Sequence, residues 1–152
     1  MGGKRFNVTG MLTRPLAFYE HPASGALIGS CPESVAGDAH KAILTADAAF
    51  PEWRSRTGRG RSRILRRWYE LLIENKEDLA TLIIWENGKA LPDAAGEVLF
   101  AGSFLEWFAE EAARIYGDVI PYSAPGFRVQ TIKEPVGVIG LITPYVHPPN
   151  LQ

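Results

Sequence analysis

Residues 134–145 read EPVGVIGLITPY. Val136 to Ile142 is an unbroken apolar run that includes Gly137 and Gly140, bounded by Pro135 and Pro144. A short run of this kind between prolines predicts a strand buried on both faces, as in the parallel sheets of α/β proteins. Ligands of such sheets sit beyond the carboxyl ends of the strands, here at Thr143, Pro144 and Tyr145. Seven residues follow Tyr145, so this strand is expected to have no parallel neighbour later in the sequence.

Working outward, the bulk properties exclude several classes. The 152 residues suffice for one ordinary core. Apolar residues make up 46% and charged residues 22%, a globular and not a disordered balance. A formal net charge of −1 gives no general attraction to nucleic acid or anionic lipid. Cys31 is the single cysteine, so no internal disulfide exists and a reducing compartment fits. No apolar run approaches membrane-spanning length, and the first residues match neither a secretory signal nor a transit peptide. A cytoplasmic location is expected.

Upstream, residues 1–34 are irregular, with a turn at His21-Pro22-Ala23-Ser24-Gly25 and a short strand at 26–30. Residues 38–50 are alanine-rich and predict a helix with Ala42, Ala46, Ala49 and Phe50 inward, ended or kinked by Pro51. A second helix is expected at about 60–75, with Ile64, Leu65, Trp68, Leu71 and Leu72 on one face. Seven arginines lie between Arg54 and Arg67. They fit either a phosphate or nucleic-acid patch, or a solvated face whose stems cover apolar neighbours. Glu70, Glu74, Glu77 and Asp78 follow directly and favour the solvated face.

Asn75 is expected to cap a third helix, with Leu79, Leu82 and Ile83 as its buried stripe. Gly88 is expected to stop that helix, with Lys89 near its last carbonyls. Pro92 then fits the first position of a long helix to about Tyr116. Its apolar face would be Phe100, Ala101, Phe104, Leu105, Phe108, Ala112 and Ile115, with Glu110 and Arg114 paired opposite. Residues 118–121 and 127–133 predict two short strands around Ser123-Ala124-Pro125-Gly126.

EPVGVIGLITPY resembles the first cofactor-domain strand of the aldehyde dehydrogenase superfamily. The helix FLEWFAEEAARIYGD at 104–118 narrows the resemblance to its succinate-semialdehyde branch. The resemblance covers about Pro22 to Tyr145. It implies an α/β fold comprising an irregular segment (1–34), the helical part of a cofactor-binding domain (35–117), a strand pair of an oligomerisation arm (118–135), and the first cofactor-domain strand with a tail (136–152). It places Ile142, Thr143, Pro144 and Tyr145 along NAD or NADP, and Phe100 and Phe104 beside the substrate tunnel. It also implies a small-molecule aldehyde as substrate and a homo-oligomer. For Phe100 and Phe104 an ordinary core role is the competing reading. For residues 142–145 it is a buried strand end.

The chemistry such an enzyme needs is incomplete here. A thiolate must attack the aldehyde, donors must hold the oxyanion, and a carboxylate must activate water. Cys31 precedes Pro32 in an irregular segment and is not a convincing nucleophile. The family's oxyanion Asn, within Trp-Asn-Phe-Pro, corresponds to Val146, which has no side-chain donor. Gly58-Arg59-Gly60 begins a dinucleotide fingerprint that fails at Arg63. His21, His40 and His147 lack ligand spacing, so no metal is expected. No catalytic residue is assigned.

Two functions compete. The protein is either the N-terminal part of an NAD(P)-dependent aldehyde dehydrogenase, inactive alone, or a non-enzymatic module that binds a full-length subunit. The tail from Val146 to Gln152 is neither a helix cap nor a polar surface, which favours the first. Residues 10–20 and 146–152 match nothing in the family pattern, and both are expected to be sequence foreign to the mature protein.

Overall fold

The computed structural model describes residues 16–142. It opens with an antiparallel hairpin of β1 (Leu16–Glu20) and β2 (Leu27–Pro32), in which Leu16 faces Pro32 and Tyr19 faces Gly29. The turn is closed by His21 N–H donating to Ala26 O at 2.9 Å, and by Gly25 at φ +66°. Leu16 to Glu20 is therefore an integral strand, which corrects the expectation that residues 10–20 are foreign; residues 10–15 lie outside the described range. Aromatic Phe18 and Tyr19 suit a strand that pairs locally.

Helix α1 (Ala36–Ser55) is longer than expected and runs past Pro51. Proline removes one donor, the bond that would reach the Asp47 carbonyl, and on a helix with no buried residue that loss does not end it. Ala42, Ala46 and Ala49 are exposed rather than inward, because no other described element packs over them; Phe50 alone is half-buried.

The core lies between α2 (Gly58–Glu74), α3 (Lys76–Asn87) and α4 (Leu91–Glu111). Thr57 Oγ1 accepts from Gly60 N–H at 3.1 Å and caps α2. Ala80, Ala94 and Val98 are buried at its centre, ringed by Leu72, Leu79, Ile83, Ile84 and Ala95. The packing face of α4 is made of small residues, Ala94, Val98, Gly102 and Ala109. Small residues let helices approach closely, which Gly102 shows by lying against Tyr69, Leu72 and Ile73. Trp68, Leu71 and Leu82 consequently face outward, contrary to the expected stripes.

Local expectations at the joints change in detail. Asn75 does not cap α3 with its side chain; its Nδ2 donates to Leu71 O at 2.7 Å and closes α2 instead. Gly88 stops α3 in the left-handed region at φ +67°, as expected. Lys89 pairs with Glu97 rather than with the helix carbonyls. Helix α4 ends at Glu111, more than a turn before Tyr116. Glu110 pairs with Arg66 at 3.4 Å, and Arg114 turns to Glu111 at 2.9 Å.

A second hairpin follows, β3 (Val119–Pro121) with β4 (Arg128–Gln130), shorter than the predicted strands. Asp118 N–H donates to Thr131 Oγ1 at 2.9 Å and anchors its base. Residues 131–142 form no strand. The predicted parallel strand at Val136 to Ile142 is thus absent among the described residues, since a strand needs a partner and none is offered. The mixed α/β class stands, built from four helices and two antiparallel pairs among the described residues.

Candidate functional site

Helix α4 positions the first pair of candidates. Its small-residue face is turned to α2 and α3, so the opposite face carries Leu99, Phe100, Phe104, Trp107 and Phe108 outward. Phe100 and Phe104 meet edge to face, centroids 4.9 Å apart and planes at 83°. Phe100 is 66% exposed and Phe104 49%, so neither is core in this protein. Together they form an apolar ridge of the kind that marks a contact surface or a ligand wall. The sequence signal for this is the spacing of Ala94, Val98 and Gly102, four residues apart.

The cofactor candidates fall at the end of the described residues. Thr143, Pro144 and Tyr145 lie outside the described residues, as does Val146. Ile142 is described and fully exposed. No cradle for a dinucleotide is therefore formed among the described residues.

Cys31 sits on exposed β2, with its thiol donating to Tyr19 Oη at 3.4 Å. A phenol is no base at neutral pH, so this contact does not activate a thiolate. Among the described residues no three His, Cys, Asp or Glu side chains converge as a metal site. No helix of the described residues is long and apolar enough to cross a membrane.

Four of the seven arginines, Arg54, Arg56, Arg66 and Arg67, find acidic partners. Arg66 Nη1 donates to Glu106 at 3.0 Å, and Arg67 Nη1 donates to Glu74 at 3.1 Å and Glu70 at 3.3 Å. Donating hydrogen bonds to Glu74 and then Glu70 raises the pKa of the Arg67 guanidinium above its ordinary value, and donation to Glu111 does the same for Arg114. This is a solvated and partly paired face. One cleft goes beyond the sequence-based expectations: Phe50, Trp53, Arg54, Arg61, Ile115 and residues 132–135 enclose 420 Å³, and Arg54 stands 3.8 Å from Glu134 across it. Trp53, a large aromatic two residues past Pro51, is the sequence clue to it.

Helical layer, hairpins and the segment at 134–145 together define the class: the chain belongs to the aldehyde dehydrogenase family, whose sequence profile it matches over residues 17–152. That range begins before Pro22 and takes in residues 146–152, so the family match is wider than Pro22 to Tyr145 and does not break off at Tyr145. The chain is 51% identical over 128 residues to the glutarate-semialdehyde dehydrogenase of Pseudomonas aeruginosa, covering 84% of this chain and 26% of that one. It is 46% identical over 128 residues to the NADP(+) succinate-semialdehyde dehydrogenase of Escherichia coli K12, covering 84% and 27%. The succinate-semialdehyde dehydrogenase structure from Burkholderia pseudomallei superposes with a TM-score of 0.77 at 41% identity, over 81% of this chain and 26% of that one. The chain thus spans about a quarter of the length of the relatives it matches.

Proposed function

We propose that these residues supply the N-terminal part of an NAD(P)-dependent dehydrogenase that oxidises a carboxylate-bearing semialdehyde to the dicarboxylic acid. The observation that carries this is the 51% and 46% identity to glutarate- and succinate-semialdehyde dehydrogenases, over most of the chain. In this reading Ile142, Thr143, Pro144 and Tyr145 run along the cofactor once the rest of the domain is in place. The exposed Phe100–Phe104 pair borders the channel by which the aldehyde enters. The β3–β4 hairpin serves the contact between subunits of a homo-oligomer, and the enzyme works in the cytoplasm.

The 152 residues alone carry no turnover in this reading. The single thiol is exposed on a hairpin, and Val146 stands where an oxyanion donor is wanted. Losing one such donor costs on the order of 100- to 1,000-fold in rate. The test is an assay of the purified protein with succinate and glutarate semialdehydes, each with NAD and NADP. No cofactor reduction above background is expected. Reduction that Cys31→Ala abolishes would overturn the inactive reading. The substrate class is tested on the same polypeptide extended by the remaining family sequence, where a preference for an aldehyde lacking the carboxylate would overturn it.

A further inference from the structure

Asn87 and Gly88 form the sole Asn-Gly pair in the sequence. In such a pair the glycine nitrogen can reach the asparagine side chain with no Cβ in the way. The structure sets this pair at the last turn of α3, where three observations bear on its chemistry. Gly88 N–H donates to Ile84 O at 2.7 Å, so the nitrogen is engaged in the helix. Gly88 holds φ +67° and packs against Pro22, whose Cγ lies 3.0 Å from where a Cβ would stand. Asn87 Oδ1 is buried and accepts no hydrogen bond among the described residues.

We infer that Asn87 is a spontaneous deamidation site gated by opening of the last turn of α3. While the turn is closed, the Gly88 nitrogen is held to Ile84 and cannot attack. When it opens, that nitrogen loses its proton and bonds to Cγ of Asn87, and the bond from Cγ to Nδ2 breaks to release ammonia. Water then opens the five-membered imide at either carbonyl, leaving aspartate or isoaspartate at position 87. The product is ill suited to closing again. A carboxylate replaces an amide whose oxygen is buried, and it lies at the negative end of the helix dipole. The nearby ammonium of Lys89 is already paired with Glu97. Each opening that reacts is therefore retained, and the Pro22 hairpin loses its seat on Gly88.

The test incubates the purified protein at mildly alkaline pH, with and without urea. Conversion of Asn87 and of Asn75 is followed by peptide mass, and exchange of the Gly88 amide is followed in parallel. In urea Asn87 is expected to convert well ahead of Asn75, and Gly88→Ala to slow it there, where folding plays no part. Without urea, Asn87 conversion is expected to fall by at least about tenfold, in step with protection of the Gly88 amide, as local opening requires. Fast native conversion together with fast exchange of the Gly88 amide would show that the turn is not closed and would overturn the gate. Rapid conversion with a protected Gly88 amide would overturn the gate. Conversion in urea no faster than at Asn75 would overturn the site.

Discussion

Gly102 of α4 lies directly against Leu72 of α2: a Cβ at Gly102 would stand 3.3 Å from Leu72 Cδ2, with Tyr69 and Ile73 at 3.5 Å. The absent side chain at 102 is what lets the two helices meet. Gly102→Val is expected to destabilise the layer by ~1–3 kcal/mol through overpacking. Urea unfolding followed by helical circular dichroism measures it. An unchanged midpoint would show that α2 and α4 do not pack here.

Two other glycines on helices should respond oppositely to alanine. A Cβ at Gly58 would run into the Ala112 backbone carbonyl, which cannot swing aside, whereas at Gly96 it would meet nothing. Gly58→Ala should cost ~1–3 kcal/mol. Gly96→Ala should stabilise by about 0.8–1 kcal/mol, the difference in helix propensity. Equal shifts in the two variants would refute the close approach of the α2 start to the α4 end.

Arg66 bridges α2 to Glu106 and Glu110 of α4, with its side chain 40% exposed. Exposed pairs of this kind contribute at most about 1 kcal/mol and weaken with salt. A double-mutant cycle of Arg66→Met and Glu106→Gln should return a coupling in that range, smaller at high ionic strength. A coupling indifferent to salt would mean the pair is shielded from water.

The outward ridge of α4 predicts association of the protein when these residues are purified alone. Trp107 and Phe108 are both more than half exposed. Replacing both with lysine should lower binding of a hydrophobic dye and sharpen the gel-filtration peak, while leaving helical content intact. Loss of helix in that variant would place these rings inside the core instead.

Four helices are legible in sequence because their caps and stops are local: Gly88 needs only its own φ to end α3. Which face of each helix points inward is less legible. The large residues of α4 suggest one apolar stripe, yet the packing face is Ala94, Val98 and Gly102. Size favours the aromatics by area buried, but close helix approach selects small residues, and the aromatics are left on the outer face. Leu16 to Glu20 hides its strand for a similar reason, since a strand is recognised by its partner and β2 lies beyond an intervening turn. The Val136 to Ile142 run shows the converse. Its composition is that of a buried strand, but composition supplies no neighbour.

Arg66 and Glu106 are separated by 40 positions, and the helical layer is closed by contacts of that order. A ribosome adding about 5–20 residues per second needs roughly 2–8 s to cover that distance. The three-helix layer can therefore assemble while the residues that follow α4 are still being synthesised. During that interval the ridge of Phe100, Phe104, Trp107 and Phe108 is presented to solvent on an already ordered helix, so the largest apolar side chains of α4 are exposed from the moment the layer closes.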